Sequence, residues 1–163
     1  MHLVTQYNVN ETFLAVFQGM CSLLGIVGTV LVTKSSALFS LRKSASLFLL
    51  FQVISLWIAC ICLWLKWPAI FLVTVAISRI GLWGFDVAHM SVMQSGLTKT
   101  DYRATITVMQ YGLCNIFSVS SEVAALFWHS PAGFPMLIAL SLLCVTLAWL
   151  CLQIWCLQLA KED

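Results

Sequence analysis

Charge is scarce in this sequence: Asp, Glu, Lys and Arg make up only 9% of its 163 residues, against 61% hydrophobic residues. That balance lies far outside the range of ordinary soluble domains. A water-soluble chain of this length has no core large enough to hide so much apolar surface, so a bilayer must cover it. No stretch of basic residues is interleaved with aromatics, which argues against a nucleic-acid partner. No nucleophile, base and orienting group recur together and no metal-ligand cluster stands out, so an enzyme is not expected. Internal repeats, linkers and low-complexity segments are absent, and a net charge of +2 says little when so few charges exist. The N-terminus lacks the basic region of a cleaved signal peptide, and none is expected.

What the chain has instead is long apolar runs. The cysteines Cys21, Cys60, Cys62, Cys114, Cys144, Cys151 and Cys156 all fall inside them, where free cysteine packs as a small hydrophobe. About 20 apolar residues cross a hydrocarbon core as a helix, and five segments meet that length: 12–33, 44–65, 69–95, 104–128 and 135–159. Between them lie a basic loop from Lys34 to Lys43, a Lys66-Trp67-Pro68 turn, a polar loop from Gly96 to Arg103, and a loop from His129 to Pro135. The expected fold is therefore an all-α, polytopic membrane helix bundle. Lys34, Arg42, Lys43, Lys99, Arg103 and Lys161 fall on one side and only Lys66 on the other. The first side is expected to be cytosolic, with the N-terminus outside and the C-terminus inside. Asn10-Glu11-Thr12 is a glycosylation sequon on the expected outer side.

Arg79 and Asp86 interrupt the third run. Charges at such depth are costly and mark packed interiors or polar paths. Counting from Pro68, Arg79 lies roughly 16 Å into the membrane and Asp86 roughly 27 Å. The two share a helix face, but Arg79 leans towards the N-terminus and away from Asp86. Glu122, roughly 10 Å deep in the fourth span, is the expected partner of Arg79. Such charges either hold the bundle together or line and gate a path, and transporters use them for both. His89 follows Asp86 by one turn, a spacing that suits either a metal ion or a hydrogen bond. Gly19, Gly25 and Gly28 on the first span, and Gly81 and Gly84 on the third, allow close helix approach. Asn115, Ser118, Ser120 and Ser121 make part of the fourth span polar.

The run Arg79-Ile-Gly-Leu-Trp-Gly-Phe-Asp86 resembles the tenth-helix signature of the ferroportin family of iron exporters, solute carrier family 40. Gln18-Gly-Met-Cys-Ser-Leu-Leu-Gly-Ile-Val-Gly-Thr29 resembles the family's glycine-patterned eighth helix. Asp101-Tyr-Arg103 with Gln110 resembles its charged loop and eleventh helix, and Ser130-Pro131 the loop before its twelfth. The resemblance implies a major-facilitator architecture of two six-helix halves, exporting ferrous iron or a related divalent metal from the cytosol. It implies that residues 1–163 form a partial C-terminal lobe without that lobe's first helix. Of the family's C-terminal metal site, the cysteine helix is missing and the histidine position falls on Ser121. Arg79 and Asp86 carry over, whereas His89 stands where the family has an apolar residue.

Two functions follow as expectations. One is iron(II) export by alternating access, with this chain as a fragment or truncated product and Arg79, Asp86, Ser121 and Glu122 on the path or its gate. Asp86, His89 and Glu122 are its candidate metal contacts. The other is a non-transporting membrane protein that packs against or regulates a full-length transporter. The expected partners are the lipid bilayer, a divalent metal ion, and the missing N-terminal lobe or another transporter chain. No prosthetic group is expected, and the plasma membrane is the expected location.

Overall fold

The structure, a computed structural model, describes residues 11–96, 102–127 and 134–162. Asn10 lies outside them. The described residues form five helices: α1 Glu11–Leu38, α2 Leu41–Trp64, α3 Pro68–Gly96, α4 Arg103–Phe127 and α5 Phe134–Glu162. Helix is the expected outcome for apolar runs in lipid, because it satisfies every backbone polar group within the segment. Four of the five, α1, α2, α3 and α5, are long and apolar enough to cross a membrane.

Helix α4 departs from the expectation of five equivalent spans. At 25 residues it is long enough, yet it is not among the helices apolar enough to cross a membrane by composition. Gln110, Asn115, Ser118, Ser120, Ser121 and Glu122 are the reason. It also packs only sparsely on the other helices, and residues 111–120 are all exposed.

Helix α3 organises the bundle, with its largest interface against α2 and its second against α1; α5 joins through α2. Two glycines set the spacing. A Cβ on Gly28 of α1 would stand 2.6 Å from the backbone oxygen of Ile80 on α3. A Cβ on Gly81 of α3 would stand 2.9 Å from the Gln52 amide nitrogen and the Phe48 carbonyl oxygen on α2. Backbone cannot swing aside as a side chain can, so both interfaces require glycine for their present separation. The buried core is correspondingly small-residued. Val32, Ala45 and Ala88 cluster beneath Phe48 and Phe85, and Ala59, Cys62 and Phe71 cluster beneath Val75 and Ile138.

The connections are tighter than the sequence suggests. Helix α1 runs on through Lys34 to Leu38, leaving only Phe39 and Ser40 before α2. Ser36 Oγ donates to the Thr33 carbonyl at 3.0 Å, and the Ser35 and Ser44 hydroxyls meet at 2.9 Å across the turn. The turn from α2 to α3 closes with Lys66 N–H donating to Leu63 at 3.0 Å and Trp67 N–H to Cys62 at 2.9 Å. That is the Schellman pattern, normally built on glycine, and here Lys66 adopts it with φ 59°.

Candidate functional site

Helices α3 and α4 approach each other around His89 and Gln110. Gln110 Nε2 donates towards His89 Nδ1 at 3.4 Å and towards Met90 Sδ at 3.5 Å. An amide nitrogen only donates, so in this contact His89 Nδ1 is the accepting atom. The His89 ring stacks on Phe85, with centroids 5.4 Å apart and planes 25° from parallel. His89 is thus held from both sides, by a helical neighbour one turn back and by α4.

A cleft of about 720 Å³ opens at this contact, lined by Asp86, His89 and Met90 from α3 and by Gln110, Tyr111 and Cys114 from α4, among others. The α4 set falls at i, i+1 and i+4, which is one helix face. The lining offers a carboxylate, an imidazole, an amide, a thioether and a thiol, donors that together span hard to soft preferences among divalent metals. Among the described residues no three His, Cys, Asp or Glu side chains come together as a metal-holding group. The arrangement suits a passing contact with a cation more than a closed chelate.

The other expected site residues lie elsewhere. Arg79 is ten residues before His89 on α3 and Glu122 twelve after Gln110 on α4, so both stand about 15 to 18 Å from the His89–Gln110 contact, although Arg79 is only one turn from Trp83 at the edge of the cleft. No ion pair joins Arg79 and Glu122 among the described residues, because α4 barely packs on α3. Both residues are exposed. Ser121 neighbours Glu122 in the sequence of α4, and its side chain lies outside the described residues. Sequence reasoning brought Asp86 and His89 forward but missed Met90, Tyr111 and Cys114; the helical spacing of Gln110, Tyr111 and Cys114 was the available signal.

Long apolar helices packed around a glycine-spaced α3, with a cleft beside it, make a multi-pass integral membrane protein. The comparisons make the class specific. The model of the family described as Ferroportin1 (FPN1) matches residues 2–145. This chain belongs to the ferroportin family. Rice (Oryza sativa subsp. japonica) Solute carrier family 40 member 1 is 39% identical over 74 residues, covering 45% of this chain and 15% of that protein. The rice chloroplastic Solute carrier family 40 member 2 is 26% identical over 101 residues, covering 58% of this chain and 17% of that protein. A bacterial homologue of the iron transporter ferroportin in its inward-facing state shares the fold with a TM-score of 0.86 at 22% identity. The match covers 94% of this chain and 38% of that one. An outward-facing structure of a bacterial homologue of ferroportin gives a TM-score of 0.76 at 23% identity, with the same coverage. The chain thus spans well under half the length of the proteins it resembles.

Proposed function

We propose that the five helices are a partial C-terminal lobe of a ferroportin-type carrier that exports iron(II), or a related divalent metal, from the cytosol by alternating access. The observation that carries this reading is the convergence of Asp86, His89 and Gln110 on one cleft in a chain of the ferroportin family. The cleft forms part of the wall along which the metal passes. Asp86 and His89 offer it oxygen and nitrogen contacts, weak enough to release it. Arg79, Ser121 and Glu122 act farther along the path as gating groups. The end bearing Lys34, Arg42 and Lys43 faces the cytosol, the N-terminus with Asn10 lies outside, and the protein resides in the plasma membrane. Its partner is an N-terminal lobe, against which this one rocks.

A second reading, a non-transporting chain that packs against a full-length carrier, is favoured by the lack of a three-ligand metal group among the described residues. Radioactive iron efflux separates the two. Cells expressing the chain joined to an N-terminal lobe and the lobe's first helix are expected to export iron, and Asp86→Ala to lower that efflux at least tenfold. Efflux that does not depend on the added helices, or is indifferent to Asp86→Ala, contradicts the first reading.

A further inference from the structure

At the end of the bundle where α2 begins and α5 finishes, two grooves adjoin on either side of Arg42. One, of about 610 Å³, is lined by Ser40, Arg42, Val92, Ile106 and Trp155, among others. The second, of about 570 Å³, is lined by Phe39, Arg42, Lys43, Leu47, Gln153 and Cys156, among others. The Arg42 guanidinium lies over the Trp155 ring, 5.8 Å from its centroid. That contact holds the cation at the rim, and its N–H groups remain able to donate in the guanidinium's own plane. Gln153 and Ser46 hydrogen-bond across the groove floor, tying α5 to α2. No carboxylate lines either groove among the described residues, and the first turn of α2 contains no acidic residue. Among the described residues, then, two cations share one rim with no counter-charge in its walls.

Below the rim the surface changes character. Leu47, Phe51, Ile54 and Ile58 are each between 41% and 49% exposed and recur at i, i+4, i+7 and i+11. They form one apolar stripe about 16 Å long running from the groove along α2. An anionic group at the rim with a hydrocarbon chain below it matches both parts at once.

We propose that this groove is a binding site for an anionic phospholipid, with its phosphate-bearing headgroup on Arg42 and Lys43 and an acyl chain along Leu47, Phe51, Ile54 and Ile58. Basic pockets between membrane helices recognise such headgroups by charge and phosphate geometry. The proposed headgroup and acyl-chain contacts lie on α2, and no residue lining the two grooves also lines the cleft between α3 and α4, so the site stands whether or not the chain moves metal. A seated lipid would brace α5 against α2.

The test is competition for fluorescent phosphatidylinositol 4,5-bisphosphate bound to the purified chain in detergent. Unlabelled phosphatidylinositol 4,5-bisphosphate and phosphatidylserine are expected to displace it at least tenfold better than phosphatidylcholine. The double variant Arg42→Gln, Lys43→Gln is expected to lose at least tenfold in affinity, and Lys66→Gln, at the opposite end, to lose nothing. Lys43→Gln alone, at an exposed position, should weaken binding severalfold and serves if the double variant does not fold. Soluble inositol trisphosphate and inorganic phosphate should compete at least tenfold more weakly than the lipid, because they lack the acyl chain. Equal competition by phosphatidylcholine, unchanged binding in Lys43→Gln, or soluble phosphates matching the lipid would each overturn the proposal.

Discussion

Lys66 carries a side chain into the left-handed region, with φ 59°, at the point where a Schellman turn usually places glycine. The Cβ costs about 1 kcal/mol there, and glycine's extra freedom in the unfolded chain offsets part of any relief. Lys66→Gly is therefore expected to stabilise the fold by about 0.5 kcal/mol, read as a raised thermal midpoint in detergent; a lowered one would mean that the lysine side chain holds the turn. Gln52 is a second residue at odds with its surroundings. It is 7% exposed at the α2–α3 interface, and its Oε1 has no hydrogen-bond partner. A buried acceptor left unmade costs about 1–3 kcal/mol, so Gln52→Met, of similar volume, should gain about 1 kcal/mol. Loss of stability in that variant would show that Oε1 is satisfied by water or by another part of the assembled carrier. Neither feature was legible in the sequence. The Lys66-Trp67-Pro68 turn was visible from its breaker chemistry, but its handedness depends on how α2 must meet α3.

The helices themselves were largely legible, because apolar runs of spanning length leave the backbone little alternative to helix in lipid. Their ends were less so. Polar Lys34, Ser35 and Ser36 read as loop, yet their backbone stays helical while Ser36 bonds back to Thr33 and Lys34 stays exposed. The glycine pattern correctly suggested close approach, but only the fold assigns Gly28 to α3 and Gly81 to α2, while Gly19 meets nothing within 4 Å among the described residues. Gly81→Val should accordingly cost about 2 kcal/mol by forcing α2 away, while Gly19→Val in α1 should leave the thermal midpoint nearly unchanged. Equal destabilisation by both would mean that helix propensity, and not interface spacing, sets the effect. Helix α4 is the exception to legibility. Its polar residues read equally as a packed interface or a wetted lining, and in the structure it leans on α3 mainly around Gln110.

Across the whole molecule, the candidate site lies in an approach that no single segment encodes. Asp86 and His89 stood out as polar residues one turn apart, but Gln110 and Cys114 join them only because α4 returns alongside α3. The expected Arg79–Glu122 pair is not formed among the described residues for the matching reason: similar depth along two helices does not bring side chains together when the helices hardly touch. The central claim is that the α3–α4 cleft lines the metal path, and Cys114 reports on it directly, being both exposed and part of the lining. The most direct measurement is its modification by a membrane-impermeant maleimide, in the completed carrier with the remaining cysteines of this chain replaced by alanine. The account predicts that Cys114 reacts from the aqueous phase, that iron(II) slows the reaction severalfold, that Asp86→Asn abolishes this protection, and that the adduct blocks efflux. A Cys114 that resists the reagent, or reacts at the same rate with and without iron(II) while efflux continues, would contradict it.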